Sequence, residues 1–406
     1  MNQRFYSLDV FRGATVCLMI LVNNPGSWAH IYPPLEHAAW HGLTPTDLVF
    51  PFFLFAVGNA LSFVMPRLRT GGDAAFWKKI IRRSLLIFLI GLFLTWWPFF
   101  QYKGDVLVFR HWVDPQNPAS GVRILGVLAR IALCYLFASI LVYYLSPNAA
   151  FFTGLVILLL YWVLCFTLGN PQDPYSMTGW FGNQVDKAIL HIPHMYKGEG
   201  IPFDPEGIMS TLPAIVNVLF GYLAGDYIQK RGGRGPAAAA LPSAAFETGP
   251  YPMVAGLFVG GVALLLTGFC WDMVFPINKK IWTSSFTVYT SGLATLTIAT
   301  LIYLIELKGV KGPLSRFFDV FGKNALFVFA LSAFLPKTLW LIRIPDHVNE
   351  KGAMVYTNPW NWLYDKVLSH VPGDPRIGSL LYAICIILLM WAICYWLDRK
   401  KIYIRV

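Results

Sequence analysis

Asp47 to Pro66 reads DLVFPFFLFAVGNALSFVMP, and the connection after it carries Arg67, Arg69, Lys78, Lys79, Arg82 and Arg83. The stretch holds one charge, Asp47, at its first position. A helix needs about 20 mostly apolar residues to cross the hydrocarbon core, so this segment predicts a membrane span. The connection before it, Pro25 to Thr46, contains no Lys or Arg. Cytoplasmic loops are enriched in basic residues, so the Arg67 to Arg83 side is expected to be cytoplasmic and the Pro25 to Thr46 side outer.

Working outward, similar runs at 7–24, 84–100, 124–145, 149–168, 207–227, 252–272, 284–306, 317–341 and 379–397 give about ten expected spans. Alternation places three further groups on the cytoplasmic side: Lys230, Arg231 and Arg234; Lys308, Lys311 and Arg316; and Arg399, Lys400, Lys401 and Arg405. The expected fold is therefore an all-α, polytopic transmembrane bundle, a single domain over 1–406 with both termini cytoplasmic. Asp9 and Arg12 interrupt the start of the first run and no small-residue cleavage site follows, so it reads as a retained helix. Composition agrees: 56% of the 406 residues are hydrophobic and 13% charged, whereas soluble domains are about a quarter charged.

The net charge of +11 sits at span ends as orientation signals, which argues against nucleic acid as a partner and for membrane lipid. All six cysteines fall within expected spans without metal-ligand spacing, so neither a disulfide nor a metal is indicated. The stretch at about 230–250, containing GGRGPAAAALPSAAFETG, predicts a mobile cytoplasmic linker between the sixth and seventh spans. The outer loop at about 169–206 is long for a connection without function, and Trp180 to Leu190 predicts a short interfacial helix within it, as a lid or substrate platform.

Polar groups inside spans usually face a cavity or a partner. Asp9 and Arg12 share one helical face, either as a salt bridge or as part of an anion site. Arg130 and Lys323 read as lying about two turns inside the cytoplasmic boundary, where they either snorkel or point into a polar cavity. With Arg12 and the cations of Lys78, Lys79, Arg82 and Arg83, they suit a nucleotide diphosphate, because guanidinium matches phosphate geometry. All eight histidines fall in or beside the outer connections, and one loop there is dense in hydrogen-bonding groups, from Glu36 and His37 through Trp40 and His41 to Asp47. An imidazole takes and returns a proton near neutral pH, and Asn23 or Asn24 supplies an amide for a developing oxyanion. Asp47 reads as an N-cap or as the group that orients the imidazole. The aromatics Trp40, Trp180 and Trp282 suit stacking on a sugar, or equally a membrane interface.

Several blocks resemble one family, the heparan-α-glucosaminide N-acetyltransferases, transmembrane acyltransferases with bacterial relatives. The opening block is Ser7-Leu8-Asp9-Val10-Phe11-Arg12-Gly13, followed by His37-Ala38-Ala39-Trp40-His41-Gly42-Leu43-Thr44 through Asp47-Leu48-Val49-Phe50-Pro51. Then come Val185-Asp186, His194-Met195-Tyr196, Asp204-Pro205-Glu206-Gly207, Asn278-Lys279-Lys280-Ile281-Trp282-Thr283 and Gly322-Lys323-Asn324-Ala325. The resemblance implies acetyl-CoA as cytoplasmic co-substrate, no metal, and acetylation of a glucosamine-type amine on the outer side of a bacterial inner membrane. His37 matches the catalytic histidine and Asn23 the family asparagine, with Asn24 as the alternative. Asp47 is expected beside His37. Arg12, Lys78, Lys79, Arg82, Arg83, Arg130, Lys323 and Asn324 are expected at the cofactor. Glu36, Trp40, His41, Asp186, His194, Glu206 and Trp282 are expected at the sugar.

Because the chain opens directly at its first span, a free or oligosaccharide amino sugar is the acceptor we expect in place of heparan itself. A homodimer is plausible by analogy with relatives. Two routes stay open, direct transfer with His37 as base or an acetyl-imidazole intermediate. Rival activities are an amino-sugar permease and an envelope-glycan O-acyltransferase.

Overall fold

The computed structural model describes residues 5–232, 250–348, 350, 352 and 354–404; most of the expected linker at about 230–250 lies outside them. In chain order the helices are α1 (Tyr6–Asn23), α2 (Val49–Thr70), α3 (Gly72–Trp96), α4 (Val127–Tyr144), α5 (Pro147–Leu168), α6 (Phe181–Leu190) and α7 (Ile208–Gly232). They continue with α8 (Pro250–Asp272), α9 (Ser284–Leu301), α10 (Pro313–Lys323), α11 (Ala325–Leu339), α12 (Pro359–Lys366) and α13 (Pro375–Arg399). The fold is an all-α polytopic bundle. Among the described residues α1, α2, α4, α5, α7, α8, α9 and α13 are long and apolar enough to cross a membrane. The pair α10 and α11 passes the same test together and is bent by 79° at its break, which gives up to nine spans if the pair counts as one. The remaining expected span, 84–100, falls in α3, which starts earlier than the apolar run and carries Lys78, Lys79, Arg82 and Arg83 in its first half.

Backbones come close at the centre of the bundle because glycine lets them. A Cβ at Gly58 of α2 would stand 1.9 Å from the Val218 carbonyl of α7, and one at Gly221 would stand 2.0 Å from the Phe55 carbonyl. Gly221 and Gly225 form a GxxxG pair, the close-approach device of membrane helices, and here it seats α7 on α2 within one chain. Gly13 of α1 and Gly322 of α10 do the same for the bent pair. At the outside of the bundle α5 and α8 leave Phe152, Val156, Phe166, Val259 and Leu266 exposed, as a lipid-facing surface would.

Helix alternation collects the α1–α2, α3–α4, α5–α7, α8–α9 and α11–α13 connections at one end, called the His37 end below. Three antiparallel hairpins lie there: β1 (Phe100–Lys103) with β2 (Val106–Phe109), β3 (Val113–Asp114) with β4 (Asn117–Gly121), and β5 (Ile344–Val348) with β6 (Met354–Thr357). The sequence reading did not anticipate them. They satisfy main-chain groups pairwise where the chain leaves the helices. The expected interfacial helix is present as α6.

Candidate active site

At the His37 end a cavity of about 200 Å³ is lined by His37, Trp40, Asp47, Arg123, Tyr196, Glu199, Glu206, Lys279, Lys280 and Trp282, with Ala38, Val127 and Pro205. Its wall is built by the loop from Glu36 to Thr44 and a short 3₁₀ turn, Pro45–Leu48, that leads into α2. Thr44, not Asp47, caps this turn. The Asp47 carboxylate reaches back to accept from Thr44 N at 3.0 Å, Thr44 Oγ1 at 3.0 Å and Ala38 N at 3.1 Å. Its other oxygen lies 2.7 Å from His37 Nδ1. Asp47 is buried, at 1% exposure, whereas the His37 side chain is 45% exposed to the cavity mouth. A buried carboxylate on Nδ1 fixes the imidazole ring and favours the tautomer that carries its lone pair on Nε2.

The facing wall is the loop between α8 and α9. Lys279 Nζ lies 3.0 Å from His37 Nδ1, 3.3 Å from His37 Nε2 and 3.4 Å from Asp47 Oδ1. Burial pushes its ammonium below the ordinary lysine range, opposed by Asp47 and Glu206. The loop is rigid for local reasons. Asn278, fully buried, accepts from Ile281 N, its own N–H donates to Thr283 Oγ1, and Gly42 N donates to Ile277 O at 2.8 Å, tying both walls together. Trp282 takes a positive φ of 53°, a conformation rare outside glycine, and is held there by Nε1 donating to Asn217 Oδ1 at 2.9 Å.

The third wall is a charge cluster. Arg123 donates through Nε and Nη2 to the two Asp204 oxygens, at 3.0 and 2.5 Å, and through Nη2 to Glu206 as well. Burial lifts the Asp204 carboxyl, while Arg123 and Arg130 hold Glu206 below its usual range against burial. Lys280 Nζ meets Glu199 at 2.5 Å and stands 5.9 Å from the Trp40 ring, whose Nε1 donates to Tyr175 O.

Of the expected residues, the fold thus brings His37, Asp47, Trp40, Glu206 and Trp282 to one cavity. Arg130 needs a correction. It lies one turn into α4 at the His37 end, fully buried, with its guanidinium 4.9 Å over the Trp282 ring and Nη2 donating to Pro205 O at 2.6 Å and to Ser210 Oγ. Its depth had been counted from the wrong end of the span, and it does not join Lys323. Asn23 and Asn24 do not line the cavity either: α1 ends at Asn23, which is exposed, and Asn24 Nδ2 donates back to Ile20 O at 2.8 Å.

Glu36 and His41 are exposed beside the cavity, outside its lining; the Glu36 carbonyl receives Thr44 Oγ1 and His41 Nδ1 lies 3.4 Å from Asn278 Nδ2. His194 is buried with Nδ1 2.7 Å from Val122 O, holding the outer loops together. Asp186 is wholly buried and accepts from Ile208 N at 2.8 Å, one layer behind the cavity. Trp180 is fully buried against Phe203 and has no face for a sugar.

At the opposite end Arg12 bonds the main chain of Gly322, next to Lys323, across the α1–α10 contact, and both cations are engaged. Arg12 Nη2 lies 2.5 Å from Asp9 and Nε donates to Gly322 O at 2.7 Å. Lys323 pairs with Asp319 at 2.7 Å and with Asp398 of α13 at 3.1 Å. Asn324, at the break between α10 and α11, bonds the main chain of Ile402 and Ile404. On α3, Lys78, Lys79 and Arg82 are exposed and Arg83 stacks 4.8 Å over the Tyr135 ring.

Comparison with known proteins bears on this geometry. The model of the family described as heparan-alpha-glucosaminide N-acetyltransferase, catalytic, matches residues 4–249, more than half of the chain. The chain belongs to this family. It is 26% identical over 378 residues to the human heparan-alpha-glucosaminide N-acetyltransferase, covering 80% of this chain and 52% of the relative. The mouse protein of that name is 24% identical over 378 residues, covering 80% and 53%. The chain spans about half the length of these curated relatives.

Within this acetyltransferase-family chain, the family match holds His37, Asp47, Arg123 and Glu206, whereas Lys279, Lys280 and Trp282 lie beyond it. The sequence reading assigned no role to Lys279, Lys280, Arg123, Glu199 or Tyr196. A signal existed: the short connection between α8 and α9 falls on the expected outer side yet carries two adjacent lysines, against the charge bias that oriented the other loops.

Proposed function

We propose that this chain is a membrane N-acetyltransferase that moves the acetyl group of acetyl-CoA to the amine of a glucosamine-type sugar. The observation that carries the reading is the His37–Asp47 pair at 2.7 Å in the mouth of a polar cavity. Nε2 of His37 takes a proton from the sugar ammonium, and the neutral amine attacks the thioester carbon. The new C–N bond forms, the C–S bond breaks, the nitrogen sheds its second proton, and the coenzyme A thiolate takes up one proton, so that one is released overall. The Lys279 ammonium, 3.3 Å from Nε2, is placed to neutralise the oxyanion that develops on the acetyl carbonyl. It takes the part that the sequence had given to Asn23 or Asn24. Glu206 and Glu199 accept hydrogen bonds from sugar hydroxyls, and the Trp40 face receives the ring.

In this reading the basic end is cytoplasmic and receives the nucleotide, and the His37 end faces outward. Beneath Trp282 a buried polar seam runs between α7 and α9, where Asn217 Nδ2 donates to Thr287 O, Thr290 Oγ1 and Ser291 Oγ and so joins the two helices behind the cavity.

The test is acetyl transfer from acetyl-CoA to glucosamine by the purified chain. His37→Ala is expected to lose about 10²–10⁴-fold in rate while helicity is kept. Full transfer in that variant, or sugar uptake into vesicles without acetyl-CoA, overturns the proposal.

A further inference from the structure

A second cavity, of about 380 Å³, opens where α3 and α11 end, and its walls include Trp97, Arg110, Lys337, Trp340, Asn358 and Trp360. We infer that it binds the phosphate of an anionic phospholipid headgroup between Arg110 and Lys337. Lys337 Nζ donates to Leu94 O and Arg110 Nη1 donates to Thr95 O at 2.9 Å, so both cations are fixed on the final carbonyls of α3. That uses one donor of the three on an ammonium and one of the five on a guanidinium. Among the described residues neither cation pairs with a carboxylate. Two half-buried like charges on one cavity repel each other, and an anion with several acceptor oxygens removes that cost while filling the remaining donors.

The surroundings favour a lipid as its source. α3 and α11 both finish at this cavity after apolar runs, so a headgroup level is expected there. Three tryptophans line it, and Phe100 and Trp362 beside it are each 43% exposed, the aromatic pattern of a membrane interface. The Asn358 amide oxygen already caps α12 at Trp360 N and Asn361 N, which directs its amide nitrogen to a further acceptor such as a glycerol hydroxyl. A free phosphate brings nothing to cover the indole faces. The cavity shares no lining residue with that of His37, so the inference stands whether or not acetyl transfer does.

The test uses the full chain, purified in detergent and stripped of lipid, with dioleoyl phosphatidylglycerol, dioleoyl phosphatidylcholine or inorganic phosphate as probe. Native mass spectrometry and thermal melting are expected to show one retained phosphatidylglycerol per chain and a raised Tm with that lipid alone. The double variant Arg110→Gln with Lys337→Gln is expected to retain it at least tenfold more weakly, and the charge-keeping Arg110→Lys to retain it. Trp340→Ala, at an exposed position, gives an independent reading and is expected to weaken retention. Equal retention of phosphatidylcholine, an equal Tm rise with inorganic phosphate, or undiminished binding in both the double variant and Trp340→Ala overturns the inference.

Discussion

Both ends of the bundle gather cations and carboxylates, yet they use them differently. At the His37 end Lys279, Lys280 and Arg123 meet Asp47, Glu199 and Glu206 around open space, with Asp204 behind Arg123, so these pairs present donors and acceptors to a cavity of about 200 Å³. At the other end Arg12–Asp9 lies within α1 and Lys323–Asp319 within α10, while Arg12 Nε on the Gly322 carbonyl and Lys323 on Asp398 tie α1, α10 and α13 together. Charge in a membrane bundle is therefore no sign of a ligand until one asks what lies between the charges. Open space points to chemistry, and packed backbone points to architecture.

The sharpest break of this comparison is Lys279→Met. If the ammonium stabilises the oxyanion, kcat is expected to fall about 10²–10³-fold with little change in Tm. A kcat within a few-fold of the parent, together with a large loss in Asn23→Ala, moves the oxyanion role to the amide.

A smaller effect separates the cavity from the layer behind it. Burial lifts the Asp186 carboxyl to about 7, whereas an unfolded aspartate titrates near 3.9. Between those values the folded chain holds a proton that the unfolded chain has released. The stabilisation is thus full below about pH 4 and is lost as pH rises through 7, by at most about 1.4 kcal/mol per pH unit. The parent Tm is expected to drop from pH 5 to pH 8, and Asp186→Asn to flatten that slope. An unchanged slope means that Asp186 is ionised throughout, with Arg130 as its counter-charge.

How much of this was legible in the sequence follows from which forces are local. Apolar runs about as long as the bilayer is thick announce themselves, so the bundle and the ends of α2 were readable from Asp47 to Pro66. The His37–Asp47 proximity was readable too, because only nine residues separate the two groups and both sit beside one helix end. The Lys279 contact was not, since it depends on Gly42 bonding Ile277 across the chain. Arg130 is placed by the alternation of spans, which puts the start of the 124–145 run at the outer end, so its short distance from that start sets it near His37 and not near Lys323. The hairpins were missed because short exposed strands carry a weak alternation.

The last and smallest effect returns to the basic end. Lys78, Lys79 and Arg82 are exposed on α3 and, among the described residues, pair with no carboxylate, whereas Arg12 and Lys323 are neutralised by acids. If the nucleotide of the donor is drawn in by exposed charge, converting Lys78, Lys79 and Arg82 to Gln should raise KM for acetyl-CoA a few-fold. The effect should shrink as salt is added, because exposed charges are screened within about 10 Å at 0.1 M salt. Arg12→Gln and Lys323→Gln should instead leave that KM within about twofold and cost about 1–2 kcal/mol of stability, between the values for exposed and buried pairs. The opposite outcome, a large KM change in Arg12→Gln with none in the α3 variant, makes the acids exchangeable partners. Asp9, Asp319 and Asp398 would then hold the two cations in place until a phosphate displaces them.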